Sequence, residues 1–210
     1  DIVKSCFRLG YHPKMWRKAR GIVIPKPGKP DYAKAKAFRT ISLLNSLGKV
    51  VEKVAAEAIT DHMEKRGSLH RGQYGGRRKR GAVDAVARMV VEAEEAWKKK
   101  RIAGAVLMDV KGAFPTTNMK ALTDKMRHLE VHEDLVQWTE SFMGRRSVTV
   151  EVNGEEGEAI EYVSGLPQGS PVTPILFNTL MSDLGRRVEE EVDVMAVSYT
   201  HLTLPTTSRV

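Results

Sequence analysis

Apolar side chains recur at helical intervals along much of the chain. In Ser46–Ile59 and Ala82–Trp97 they lie three or four positions apart, which places them on one stripe that a core can cover. Ser46 is a suitable N-cap for the first of these helices. Three further helices are predicted, at Met119–Leu129, Glu133–Met143 and Thr173–Glu190. The glycine- and arginine-rich stretch Gly67–Gly81 is predicted to be a loop.

Other stretches have the patterns of strands. Ile102–Met108 is a continuous apolar run of strand length, which is typical of a central buried strand. Apolar residues then alternate along Val148–Val152, and Asn153-Gly154 predicts the turn of a hairpin that returns to Tyr162. Val192–Val197 is also strand-like. Because strands and helices do not alternate strictly, the pattern predicts an α+β fold.

The composition is that of a globular protein that does not enter a membrane. The 210 residues are 41% hydrophobic and 29% charged, and they are enough for one core or two small lobes. No apolar run approaches the roughly 20 residues of a membrane helix. The first residues lack both a signal-peptide core and an initiator methionine, so we expect no secretion and an upstream segment. The single cysteine, Cys6, excludes an internal disulfide and a cysteine-rich zinc site.

The net charge of +8 is concentrated near the start of the chain. Residues 1–39 carry eleven Lys and Arg against two Asp, a net charge of +9, so the remainder sums to −1. A second basic cluster, Arg77–Arg80, lies in that remainder. Concentrated positive charge attracts polyanions through counterion release. Charge alone is therefore as consistent with nucleic-acid binding as with the alternatives, a solvated basic surface or a localisation-like tract at Arg77–Arg80.

Asp109 directly follows the apolar run Ile102–Met108. A carboxylate at the end of a buried strand suits a hard divalent ion such as Mg²⁺, although the same residue type also caps turns. The surrounding string Val106–Phe114, VLMDVKGAF, resembles the first catalytic block of reverse transcriptases. The resemblance implies that Asp109 binds both metal ions of the reaction. It also implies that the backbone at Val110 helps to hold the incoming triphosphate.

Phe114 lies five residues beyond Asp109. By the same resemblance it is the aromatic residue that selects deoxynucleotides, because a flat ring leaves no room for a ribose 2′-OH. An ordinary core phenylalanine is the alternative. Pro115 stands where many relatives carry a second aspartate, which makes the local turn atypical.

Gly165–Pro171, GLPQGSP, has two glycines and two prolines in seven residues, the composition of a shaped loop. Such a loop can present backbone N–H groups and an amide side chain to a ligand. The string resembles the second block of reverse transcriptases, which implies that Gln168 and Gly169 lie against the incoming nucleotide and the template base. Pro167 and Ser170 are placed beside the template and primer by the same resemblance.

Pro25–Pro30 is a proline-bounded loop that carries Lys26 and Lys29, and the string Phe38–Asn45, FRTISLLN, follows it. Both strings resemble segments of the reverse transcriptases of non-LTR retrotransposons. The resemblance implies that Arg39, with Lys26 or Lys29, clamps the β- and γ-phosphates. Arginine suits this role because its planar fork pairs with two phosphate oxygens at once. The residues leave open which lysine takes part.

Gln73–Arg78, QYGGRR, resembles a family string that touches the template strand. The resemblance implies template contacts for Gln73, Arg77 and Arg78. Gly76 replaces the second aromatic residue of that string, which puts the stacking contact of that position in question.

The third catalytic block, an aromatic-Ala-Asp-Asp turn, is expected shortly after Val197. Ser198–His201 stands there instead, and no acidic residue follows Asp193. Two-metal phosphoryl transfer needs several converging carboxylates, so this polypeptide is expected to be inactive. The tail at 198–210 resembles a translated cloning adapter and is expected to be non-native.

The resemblance implies the fingers, at 1–100, and an incomplete palm, at 101–197, of a right-hand polymerase without its thumb. The intact parent would extend a primer 3′-OH with dNTPs on an RNA template, using two Mg²⁺ or Mn²⁺ ions, in the nucleus or cytoplasm. Alternatives are a group II intron maturase-type reverse transcriptase and a non-catalytic nucleic-acid-binding fragment. A viral RNA-dependent RNA polymerase is a third, which Phe114 disfavours.

Overall fold

A computed structural model describes most of the chain. The residues described are 2–105, 107, 109–110, 112–152, 154–162, 164–184 and 195–196. The tail expected to be non-native, at 198–210, lies outside them. So do the last six residues of the predicted helix Thr173–Glu190 and all of the strand-like Val192–Val197 except Met195 and Ala196.

Six α-helices form in the described residues. They are α1 (Ile2–Arg8), α2 (Ser46–Lys65), α3 (Ala82–Lys98), α4 (Met119–His128), α5 (Glu133–Met143) and α6 (Thr173–Leu180). Two short 3₁₀ turns, Lys14–Arg17 and Ala35–Ala37, precede the first two strands. The five predicted helices are therefore confirmed, but α2 extends six residues beyond the predicted end at Ile59. The helix predicted at Thr173–Glu190 ends at Leu180, since a turn follows at 181–183. The cap of α2 is corrected by one residue, since the side chain of Asn45 accepts hydrogen bonds from the N–H groups of Leu47 and Gly48.

Four strands form one sheet. They are β1 (Lys18–Pro25), β2 (Phe38–Leu43), β3 (Arg146–Val152) and β4 (Glu155–Tyr162), in the order β2-β1-β3-β4. β1 pairs antiparallel with β2 and parallel with β3, and β3 and β4 form the predicted hairpin. The sheet thus joins strands from both predicted parts, 1–100 and 101–197. The α+β prediction is confirmed.

The core lies between the helices rather than on the sheet. α2, α4, α5 and α6 contribute most of its apolar side chains, and α1 packs on α5. Trp138 and Phe142 are fully buried at its centre, with ring centroids 5.2 Å apart in a stacked pair. Burial of large aromatic rings supplies much of the apolar area that holds such a core together.

The central buried strand predicted at Ile102–Met108 is wrong for the part that the structure describes. Ile102–Ala105 and Leu107 have no regular secondary structure, and Ile102 and Leu107 are 99% and 92% exposed. A central strand needs a hydrogen-bonding partner on each side. The four described strands pair with one another and leave this run without a ladder. The apolar face of α3 is exposed as well, with Val83 81% accessible.

Candidate active site

Two segments that carry the sequence motifs meet in the structure. The N–H of Gly165 donates to the carbonyl of Thr117 at 3.0 Å, and the N–H of Leu166 donates to that of Phe114 at 2.7 Å. Gly165 has φ +88°, and a Cβ at this position would lie 2.5 Å from the carbonyl oxygen of Pro115. Only glycine fits such a close backbone approach. Gly165–Pro171, called the GLPQGSP loop below, is therefore docked on the turn that follows Asp109.

The same loop is docked on the edge of β2. The N–H of Ser42 donates to the carbonyl of Gln168 at 2.9 Å. Gly169 has φ +114°, and a Cβ there would lie 2.7 Å from the Ser42 carbonyl oxygen. Arg39 lies three residues before Ser42 in β2, which is about 10 Å along an extended strand. The GLPQGSP loop thus bridges the Asp109 turn and the strand that carries Arg39.

Asp109 and Val110 both lie on the surface. The described residues contain no group of three His, Cys, Asp or Glu side chains close enough to hold a metal ion. One carboxylate does not make a two-metal centre, which needs several oxygen ligands. The described side chains therefore do not form a metal site on their own, and Asp109 is the only member of the expected set among them.

Phe114 is half-buried and packs on α6. Its ring meets that of Phe177 edge to face, with centroids 5.5 Å apart and an interplanar angle of 88°. The ring is thereby fixed beside the GLPQGSP loop, since the carbonyl of Phe114 accepts from Leu166. Part of its surface serves the core and part stays accessible. Its role as a gate against the 2′-OH stays a prediction.

The three cations predicted to bind phosphate are held differently. The amine of Lys26 donates to the carbonyl of Lys36 at 2.9 Å, which ties it to its own loop. Lys29 is exposed, and Arg39 is half-buried opposite Ile24. Among the described residues, neither Lys29 nor Arg39 has an ion-pair partner. Both guanidinium and ammonium groups are thus available to an anion, whereas Lys26 would first have to break a hydrogen bond.

Arg77, predicted to contact the template, forms hydrogen bonds within the protein. Its Nε and Nη2 donate to the two carboxylate oxygens of Glu64 at 2.7 and 2.6 Å, and Nη1 donates to the His70 carbonyl at 3.0 Å. The Arg77 side chain is only 10% exposed. This hydrogen bonding holds the pKa of Glu64 below its usual range, with burial acting in the opposite direction. The Arg77 side chain therefore braces the 67–81 loop.

Gln73 and Arg78, the other two residues of that motif, differ in accessibility. Nε2 of Gln73 donates to the Gly75 carbonyl at 2.9 Å and to Oδ1 of Asn178 at 3.3 Å. Gln73 also pairs with Ala196 in an isolated parallel bridge. Arg78 forms an ion pair with Asp61 at 2.6 Å, but 59% of its side chain is exposed. Arg78 thus stays available to a polyanion, and Gln73 is largely engaged.

Pro167 and Ser170, predicted to lie beside template and primer, are buried. The Ser170 hydroxyl donates to Oε2 of Glu52 at 2.6 Å inside the core. The Pro167 carbonyl accepts from the Thr173 hydroxyl at 2.9 Å. These contacts direct both residues into the protein, and the accessible residues of the loop are Gln168, Gly169 and Pro171.

Glu52, His12 and Arg146 form a buried polar cluster that the sequence analysis missed. All three side chains are fully buried. Burial, Arg146 and Arg17 lower the pKa of His12 to about 3, so its imidazole is neutral at physiological pH. Burial raises the pKa of Glu52, while the Ser170 hydrogen bond and the Arg146 and Lys49 charges act in the opposite direction. A charged residue on the apolar stripe of α2 was the signal available in the sequence.

Comparison with known proteins identifies the family. Residues 24–200 match the family described as "Reverse transcriptase (RNA-dependent DNA polymerase)". The chain belongs to the reverse transcriptase family. The resemblance to the enzymes of non-LTR retrotransposons is likewise confirmed by its relatives. Members of this family synthesise DNA on RNA and generally use divalent metal ions.

The reverse transcriptase relatives are several times longer than this chain. It is 30% identical over 183 residues to the probable RNA-directed DNA polymerase from transposon BS of Drosophila melanogaster, covering 87% of this chain and 20% of that protein. It is 29% identical over 202 residues to the RNA-directed DNA polymerase from mobile element jockey of the same species, covering 94% and 22%. The chain thus spans about a fifth of the length of these relatives.

A solved telomerase shares the fold. An apo telomerase from Candida tropicalis, truncated from its C-terminal domain, superposes with a TM-score of 0.54 at 12% identity, over 85% of this chain and 40% of that one. At this identity the similarity establishes the right-hand polymerase fold and nothing about activity. None of the described helices is long and apolar enough to cross a bilayer.

Proposed function

We propose that this chain is the nucleotide- and template-binding part of a longer reverse transcriptase that extends a primer 3′-OH with dNTPs on an RNA template. The observation that carries the proposal is the docking of the GLPQGSP loop on both the turn after Asp109 and β2. That docking gathers the first catalytic block, the second block and the strand with Arg39 around one surface. We place the longer protein in the nucleus or cytoplasm.

Nucleotide contacts are assigned by accessibility. Arg39 and Lys29 clamp the β- and γ-phosphates, because neither has an ion-pair partner among the described residues and both lie beside the β1–β2 connection. Gln168 and Gly169 contact the base and sugar, because both are accessible residues of the GLPQGSP loop. Phe114 borders the sugar. Asp109, with Val110 beside it, supplies one ligand of the divalent ions, Mg²⁺ or Mn²⁺, and the longer protein supplies the others.

Nucleotide binding by the purified chain tests this assignment. Titration with Mg²⁺-dATP should give saturable binding, and Arg39→Ala should weaken it about tenfold or more, since a charge-assisted pair to phosphate is worth at least that factor. Arg66→Ala is the matched control, because Arg66 is an exposed arginine that pairs with Glu130 at the end of α2. Equal affinities of the two variants would contradict the phosphate role of Arg39.

A non-catalytic nucleic-acid-binding role is the second candidate, and one observation favours it for this polypeptide as it stands. The sequence has Asp109 but no acidic residue after Asp193. We expect no dNTP incorporation in primer extension by the 210-residue chain, together with RNA binding that weakens steeply with salt. Measurable incorporation would show that the chain is catalytically complete, and a flat salt response would exclude a phosphate-binding surface.

A further inference from the structure

The buried side of the GLPQGSP loop carries a contact that the proposed function does not use. The Ser170 hydroxyl donates to Oε2 of Glu52 at 2.6 Å, and it accepts from the N–H of Val172 at 3.3 Å. Ser170 is 6% exposed and Glu52 is fully buried. The hydroxyl thus links α2 to the first turn before α6, and the linkage crosses 118 positions of the chain.

A carboxyl group at this buried position lowers the stability of the fold, because it loses its hydration. The second oxygen of Glu52, Oε1, lies 4.0 Å from Nε2 of His12 and accepts no hydrogen bond from any described residue. The Arg146 guanidinium supplies a nearby positive charge and is anchored by a 2.6 Å hydrogen bond to the Phe142 carbonyl. Well-packed apolar residues would serve stability at least as well as such a cluster.

The carboxyl group has one strong contact, and that contact is to the loop. On the side that faces β2, the Gln168 carbonyl accepts a backbone hydrogen bond from the N–H of Ser42. Gly169, which lies between Gln168 and Ser170 in the loop, has φ +114°, and a side chain at this position would clash with the Ser42 carbonyl. The backbone at Gln168 and Gly169 is therefore held on one side by the hydrogen bond to β2 and on the other by the hydrogen bond from Ser170 to Glu52.

We propose that Glu52 is a positioning residue that acts through the Ser170 hydroxyl to hold Gln168 and Gly169 against β2, beside Arg39. The loop then presents its accessible groups to a nucleotide in one fixed arrangement. The nucleotide part of this statement rests on the proposed function. The placement of the loop by Glu52 does not.

Amide hydrogen exchange tests the placement directly. The amide of Ser42 reports the bond to Gln168, and its exchange rate is divided by that of Ile59, a fully buried residue of α2, to remove global unfolding. Ser170→Ala and Glu52→Leu should each raise this ratio about tenfold, the factor carried by one hydrogen bond to a carboxylate. Glu52→Gln keeps an acceptor oxygen and should stay within about threefold of the parent chain.

The control variant and the double variant decide between positioning and general destabilisation. Thr139→Val removes a buried hydroxyl that donates to the Leu135 carbonyl at 2.7 Å in α5, away from the loop, and should leave the ratio unchanged. The double variant Glu52→Leu/Ser170→Ala should raise the exchange ratio no more than either single change, because both changes break the same hydrogen bond. Ratios equal to that of Thr139→Val, or multiplicative effects in the double variant, would overturn the proposal. If Glu52→Leu does not fold, Ser170→Ala carries the test.

Binding of Mg²⁺-dATP to the same variants separates the two proposals. Weaker binding by Ser170→Ala and Glu52→Leu, restored in Glu52→Gln, is expected. A parent chain that does not bind dATP contradicts the proposed function alone, and the exchange ratios still decide the role of Glu52. If the parent chain binds dATP and both Ser170→Ala and Glu52→Leu bind it with the same affinity, Glu52 does not position the nucleotide contacts.

Discussion

Replacing Arg77 with alanine should destabilise the chain without changing its affinity for RNA. The guanidinium makes a two-point contact with Glu64 and a third hydrogen bond to the His70 carbonyl, and it is 10% exposed. Truncation removes these three bonds and a longer one, 3.5 Å, to the Gln73 carbonyl, and it leaves the Glu64 carboxylate without its partner. Because the Glu64 side chain is 34% exposed, water can replace part of what is lost.

The magnitude lies between those of surface and buried ion pairs. Exposed pairs contribute about 0–1 kcal/mol, and removal of one member of a fully buried pair costs about 3–5 kcal/mol. We therefore expect a loss of about 2 kcal/mol in the free energy of unfolding for Arg77→Ala, or roughly 4–8 °C in Tm for a chain of this size. Arg78→Ala, which breaks the exposed pair with Asp61, should lose at most about 0.5 kcal/mol.

Two measurements on three variants test this reasoning. Urea unfolding should show Arg77→Ala and Glu64→Gln destabilised alike and Arg78→Ala nearly unchanged. The slope of log K for RNA binding against log[salt] should be unchanged in the first two variants. In Arg78→Ala its magnitude should fall by roughly 0.7, the contribution of one phosphate contact to a single strand. An Arg77→Ala variant as stable as Arg78→Ala and with the reduced slope would refute the bracing role and restore the template contact.

Three further predictions follow from the backbone and the buried cluster. Gly165→Ala should cost at least about 1 kcal/mol more, by urea unfolding, than Gly154→Ala, since both have positive φ but only Gly165 meets a carbonyl oxygen; equal losses would contradict the close approach. Asn45→Ala should cost about 1 kcal/mol through loss of the α2 cap, and an unchanged midpoint would contradict it. His12→Gln should remove the part of the acid-induced loss of folding stability that comes from the buried imidazole. The unfolded imidazole takes up a proton below pH 6.5 and the folded one only near pH 3, so the parent chain loses up to about 1.4 kcal/mol per pH unit in that window. A pH-independent difference from the variant would contradict this.

Local signals were sufficient for most of the helices and for the hairpin, but they did not predict α1 or the end of α6 at Leu180. Apolar periodicity predicted α3, α4 and α5 to within one residue and the start of α2, which continues six residues beyond the predicted end at Ile59. Asn153-Gly154 with alternating valines predicted β3 and β4. The pairing of β1 with β3 had no local signal, because a parallel partner about 130 positions away leaves no trace in either strand. The run at Ile102 shows the converse, since its composition indicates a strand but the ladder that a strand needs is not in the described sheet.

Motif resemblance selected segments that adjoin in the structure, but it carried no information on the orientation of each side chain. It brought together Phe114, Gln168 and Arg39, which the structure places on adjoining segments. It also assigned template contacts to Arg77 and Ser170, whose side chains face Glu64 and Glu52. Whether the Arg77 guanidinium or the Ser170 hydroxyl faces solvent depends on a carboxylate of α2, 13 or 118 positions away, and single-sequence patterns do not carry that information.

The parallel pairing of β1 with β3 also sets an order of events during synthesis. β3 leaves the ribosome about 100 residues after β2, which is roughly ten seconds at ordinary elongation rates. Until then a two-stranded ribbon of marginal stability exposes the edge that β3 will cover. An open edge of that kind recruits other chains. Expression at low temperature with slow initiation should therefore favour soluble product over inclusion bodies.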